Sequence, residues 1–171
     1  EFWNSKNGRI YISKLKNKTI FADLKLLDIP NTRKSTIKSI KDLKNINYLT
    51  VHISGGLKML KAVKSVSGKM KILGVTTLTS LDNNDLKKIG YNSNLKQIVI
   101  KLAKLAKLTK LDGIICSPNE AKYLKRICKG MEIITPGIRL KGDSFQDQKR
   151  VTSPIEAFNN GATGIVIGRS I

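Results

Sequence analysis

Six short apolar runs alternate with segments of helical periodicity along this chain, and that alternation limits its fold more than any other feature. The strand-like runs cover 19–26, 48–54 (YLTVHIS), 69–78 (KMKILGVTTL), 113–118 (GIICSP), 132–138 (EIITPGI) and 164–169 (GIVIGR). Helices are expected at 32–45, 56–68, 94–108 and 118–129, where apolar residues recur every three to four positions. A polar turn at Asp82, Asn83, Asn84 and Asp85 opens a shorter helix, and Ser153 is placed to cap another within SPIEAFNNG. Strict alternation predicts a parallel sheet covered by helices. An open doubly wound sheet and a (β/α)8 barrel both fit that pattern. The first more often carries a glycine-rich fingerprint after its first strand, and none is present. Polar and titratable residues instead collect at the C-terminal ends of the runs: Asp23, Lys25, His52, 76–80, Ser117, 135–139, Gly168 and Arg169. In a barrel that rim carries the chemistry. The expected fold is therefore a single α/β domain over 1–171, a (β/α)8 TIM barrel that is incomplete, with six of its eight βα units.

Composition narrows the function. The net charge is +20, which by itself points to nucleic acid. Yet only six of the 32 basic residues are arginine, and the lysines are spread over every helix, as in KLAKLAKLTK at 101–110. Aromatic residues make up 5%, too few for evident base-stacking platforms. Solvated helix faces account for the charge, and no specific nucleic-acid partner is expected. No apolar run reaches the roughly 18–20 residues of a membrane span, and no signal peptide is visible. Cys116 and Cys128 lack metal-ligand or CxxC spacing, and a reduced buried thiol in a cytoplasmic protein is the expectation.

The segment FADLKLLDIPNT (21–32) is the chemical centre of the sequence. Side chains alternate along a strand, so Asp23 and Lys25 share a face about 7 Å apart. Asp28 lies just beyond, and Pro30 ends the strand, leaving Asn31 and Thr32 to cap a following helix. Two carboxylates around an ammonium at the end of a buried strand are costly to desolvate. A structural salt bridge would serve equally well on the surface. The functional reading is a lysine kept protonated by its neighbours and ready to donate a proton.

Six segments in order, FADLKLLDIPNT, VHISGG (51–56), GVTTLTS (74–80), TPGIR (135–139), GDSFQDQKRV (142–151) and GIVIGRSI (164–171), resemble orotidine 5'-phosphate decarboxylase of the bacterial type. The resemblance implies cofactor-independent removal of CO2 from orotidine 5'-phosphate to give UMP in pyrimidine biosynthesis. It assigns Lys25 as proton donor to C6, with Asp23 and Asp28 completing the charged array. Asp28 and Thr32 reach a neighbouring subunit's site in a homodimer. Thr79 matches the position contacting the pyrimidine, with Ser80 as its neighbour. Arg139, Gln148, Gly168 and Arg169 match substrate and phosphate positions, Gln148 on a loop able to close as a lid. His52, the sole histidine, is expected to support the rim, and Thr76 and Thr77 to satisfy strand ends.

The family's first strand supplies a sugar-binding aspartate and its second a lysine beside the carboxylates. Both would precede Glu1, so the chain is expected to be a fragment, without normal activity alone. A metal-dependent sugar-phosphate decarboxylase or aldolase of the same suprafamily is the nearest rival. An inactive truncated barrel and a basic nucleic-acid-binding module are the others.

Overall fold

The computed structural model describes residues 7–43, 45–140 and 152–168. In chain order the elements are α1 (Gly8–Lys14), β1 (Ile20–Leu26), α2 (Pro30–Lys41), β2 (Ile46–His52), a 3-10 turn (Ile53–Gly55), α3 (Gly56–Ser67) and β3 (Lys71–Val75). There follow α4 (Asn83–Lys88), α5 (Leu95–Leu108), β4 (Gly113–Ile115), α6 (Pro118–Ile127), β5 (Glu132–Thr135), α7 (Pro154–Asn159) and β6 (Gly164–Ile165). All six strands are parallel and pair in the order β1-β2-β3-β4-β5-β6. That order never reverses, so the sheet has no switch point of the doubly wound kind and follows the winding of a barrel wall. The expected architecture is borne out.

Strands β3, β4 and β5 are apolar on two sides, which is why their runs look continuous rather than alternating. On the outer side Leu49, Val51, Ile72, Ile114 and Ile133 pack under the helices, against Ile37 and Ile40 of α2, Leu60 and Val63 of α3, Val99 and Ala103 of α5, and Leu124 of α6. On the inner side Leu73, Val75, Ile115 and Ile134 form a second cluster with Phe21 and Tyr48. Fully burying one such side chain contributes about 1.5–3 kcal/mol. Below that layer Lys71 pairs with Glu132 and lies over the Tyr48 ring, filling the N-terminal end of the interior with a satisfied polar group.

Capping boxes start α4 (Asp82 with Asp85), α5 (Asn94 with Gln97), α6 (Ser117 with Glu120) and α7 (Ser153 with Glu156). Each satisfies two otherwise orphaned backbone donors. The expected roles of Asp82 and Ser153 hold, and Pro118 takes the first position of α6. Helix α2 differs from expectation, starting at Pro30 with Ile29 as N-cap and no side-chain cap. Proline's fixed φ and missing N–H suit the first helical position, so Asn31 and Thr32 lie inside the first turn.

Other expectations need correction. Among the described residues β2 alone pairs with β1, which therefore lies at the edge of the sheet rather than buried within it, and only Ala22 of β1 is buried. β3, β4, β5 and β6 end at Val75, Ile115, Thr135 and Ile165, so the polar rim residues lie on loops. The expected burial of the cysteines holds: Cys116 and Cys128 are both buried, and burial pushes the Cys128 thiol up to about 11.

Candidate active site

The C-terminal ends of the strands surround a cavity of about 370 Å³. Phe21, Val75 and Ile115 of the inner apolar layer contribute to its wall. Asp23 and Lys25 come from β1, Thr77, Thr79 and Ser80 follow β3, Cys116 follows β4, Gly137 and Arg139 follow β5, and Gly168 follows β6. A flat sheet of this size would hold its first and last strands roughly 24 Å apart. Residues from both ends of the strand order line one cavity of ligand size, so the sheet is curled.

The Lys25 ammonium donates to Asp23 Oδ2. The shared face expected from strand alternation is therefore present, with Phe21 as the third residue of that face. The expected burial is not. The Lys25 and Asp23 side chains retain 39% and 47% of their exposure, because they stand at the open mouth of the cavity on an edge strand. Lys25 also departs from strand conformation, with φ at +47°. Its N–H donates to Thr50 Oγ1 at 2.8 Å, and the Thr50 hydroxyl donates to Asp23 Oδ1 at 2.9 Å. Thr50 is fully buried and is the site residue that the sequence reading does not find. The one sign of it was a hydroxyl on the inward face of β2, between Tyr48 and His52.

Asp28 stands apart from this pair, contrary to the expectation that all three charges surround one point. Its Oδ1 accepts the Ile29 N–H at 2.7 Å and its Oδ2 pairs with Arg33 at 2.6 Å. The Ile29 amide, and then Arg33, hold its carboxyl below the usual 3.8. Pro30 turns the chain into α2 directly after this residue, which brings Arg33 within reach. Thr32 is likewise exposed on the first turn of α2, its carbonyl accepting the Thr36 hydroxyl at 2.9 Å, and it does not line the cavity.

On the other side, Arg139 is fixed by its own backbone, whose N–H donates to the Thr152 carbonyl at 3.0 Å, and by its Nη1, which donates to the Ile138 carbonyl at 2.9 Å. A Cβ on Gly168 would meet nothing within 4 Å, so packing of the described residues does not require glycine there. Gln148 and Arg169 lie outside the described residues. His52 is half-buried at the end of β2. Burial, and then the Lys25 charge, push its pKa below 6.5, with Asp23 opposing. Thr76 bonds the Ile115 carbonyl at 3.0 Å, satisfying a strand end as expected. Thr77 does not, since its buried hydroxyl has no hydrogen-bond partner among the described residues. Among the described residues no three His, Cys, Asp or Glu side chains gather in a way that could hold a metal ion, and no helix is long and apolar enough to cross a membrane.

Residues 8–171 match the model of the orotidine 5'-phosphate decarboxylase / HUMPS family. The chain is 52% identical over 158 residues to orotidine 5'-phosphate decarboxylase of Wolbachia pipientis subsp. Culex pipiens, covering 91% of this chain and 69% of that one. It is 45% identical to the enzyme of Buchnera aphidicola subsp. Baizongia pistaciae, covering 89% and 66%. Among solved structures, the Lactobacillus acidophilus orotidine 5'-phosphate decarboxylase superposes with a TM-score of 0.81 at 35% identity, covering 94% of this chain and 72% of that one. The Methanocaldococcus jannaschii enzyme, solved with the inhibitor BMP, gives 0.70 at 28%, covering 96% and 72%. By sequence and by fold, the chain belongs to the orotidine 5'-phosphate decarboxylase / HUMPS family.

Proposed function

We propose that this protein is an orotidine 5'-phosphate decarboxylase, forming UMP and CO2 without a metal or organic cofactor. The observation that carries the reading is the Lys25–Asp23 pair opening into a cavity whose other side is bordered by Arg139 and Gly168. When the bond from C6 to the carboxylate breaks, CO2 departs and the electron pair stays on C6. The Lys25 ammonium faces that charge, stabilises it and transfers a proton from Nζ to C6. The amine then regains its proton from solvent. Asp23, held by Thr50 and Lys25, lies near the departing carboxylate and disfavours the ground state.

Thr79 contacts the pyrimidine. Arg139, Gln148, Gly168 and Arg169 hold the phosphate end, so that binding energy from a remote group serves the reacting ring. Gly168 supports this assignment, because no described residue crowds the space above its backbone where an oxygen would approach. Asp28 and Thr32 act in the site of a second copy, in a homodimer. Exposed Leu27 and Ile29, at 54% and 66%, flank Asp28 and give that copy an apolar surface to cover. Cys128, a buried free thiol, is in keeping with a cytoplasmic enzyme.

The test is turnover of orotidine 5'-phosphate by the purified full-length protein, before and after EDTA. Stoichiometric UMP and CO2, unaffected by EDTA, is the expected result. Absence of UMP overturns the reading, and loss of activity in EDTA favours the metal-dependent sugar-phosphate branch.

A further inference from the structure

We propose that Thr50 is a positioning residue for Lys25, acting through a hydroxyl that replaces the sheet hydrogen bond lost at a bulge in β1. In the β1–β2 register Ala22 is opposite Leu49 and Leu26 is opposite Val51. Three residues of β1 (Asp23, Leu24 and Lys25) therefore face a single residue of β2, Thr50. The surplus residues form a bulge, which bends the strand and re-aims its side chains. Lys25 sits in the left-handed region at φ +47°, and its amide is offered no ladder carbonyl.

The Thr50 hydroxyl fills that gap. As an acceptor it takes the Lys25 N–H at 2.8 Å, and as a donor it serves Asp23 Oδ1 at 2.9 Å. Asp23 Oδ2 then accepts from the Lys25 ammonium, closing a ring from the backbone of Lys25 to its own side-chain tip. Thr50 is fully buried, so its hydroxyl is out of reach of solvent. It does not line the cavity, so its effect on substrate passes through Lys25 and Asp23. Serine preserves both bonds, whereas valine keeps the shape and loses both.

This inference rests on Lys25 being the proton donor. A small misplacement of the ammonium lowers the rate of the chemical step while the phosphate anchors continue to set affinity. In the full chain, Thr50→Val is expected to lower kcat about 10- to 100-fold with KM within about threefold of wild type. Thr50→Ser is expected to retain kcat within about threefold, and Thr50→Ala, a second truncation should valine not fold, to match the valine loss. The Lys25 amide, followed by hydrogen exchange in nitrogen-15 NMR spectra, is expected to be protected in wild type and Thr50→Ser and unprotected in Thr50→Val. Wild-type kcat in Thr50→Val, an equal loss in Thr50→Ser, or an unchanged Lys25 amide would overturn the proposal. Amide exchange needs no turnover, so it judges the Thr50 linkage even if wild-type protein proves inert toward orotidine 5'-phosphate and the assigned function falls.

Discussion

Asp28 pairs with Arg33 at 2.6 Å, five residues along the same chain, rather than with Lys25. Under the proposed function, a carboxylate so placed joins the catalytic array in the site of another copy. Mixing two inactive variants tests this. In a hybrid of Lys25→Ala with Asp28→Asn, one shared site collects both defects and the other has neither. Random exchange of subunits between equal amounts should then restore about a quarter of wild-type activity, since half of the dimers carry one intact site of two. No recovery would place Lys25 and Asp28 in the same subunit's site, and wild-type activity of Asp28→Asn alone would show that Asp28 has no role.

The single histidine reports on Lys25 without any substrate. Burial, and then Lys25, depress the His52 pKa below 6.5, while Asp23 pulls it back. Replacing Lys25 by alanine should raise it, yet leave it below 6.5, because burial is the larger cause. Titration of the His52 ring proton by NMR checks this directly. The sign for stability follows from the same shift. The folded state resists protonation more than the unfolded chain does, so His52's contribution is fully present above pH 6.5 and is lost as pH falls through the depressed folded value. His52→Gln should flatten the acid-side decline in Tm. An unchanged His52 pKa in Lys25→Ala would show that the two groups do not interact.

Neighbouring threonines should behave oppositely when made into valine. Thr76 bonds the Ile115 carbonyl at 3.0 Å, so Thr76→Val should cost about 1 kcal/mol. The Thr77 hydroxyl is buried without a partner among the described residues, so Thr77→Val should leave stability unchanged or raise it by up to about 1 kcal/mol. Denaturant unfolding of the two variants measures the contrast. Equal losses would mean that Thr77 has a partner after all.

What the sequence reveals of this site follows from where the deciding information resides. Runs such as 69–78 and 132–138 announce strands because the residues between sheet and helices and those inside the barrel are both apolar, a property each run carries locally. Asp23 and Lys25 are expected on one face from the two-residue period of a strand, an equally local signal, although a bulge sets their final geometry. Thr50 is different. Its role exists because β1 gains residues against β2, and register belongs to the pair of strands rather than to either one. The direction of Asp28 depends on Pro30 starting α2 early enough to bring Arg33 alongside, a tertiary outcome of one helix boundary. The exposure of β1 depends on what else pairs with it, which its own residues do not encode.

The most direct measurement is the rate of UMP formation by Lys25→Ala against wild type, with UMP affinity measured alongside. If Lys25 Nζ delivers the proton to C6, kcat should fall by at least about 10³-fold while UMP binding stays within about threefold. Turnover within tenfold of wild type would contradict the account, because some other group would then be doing the chemistry.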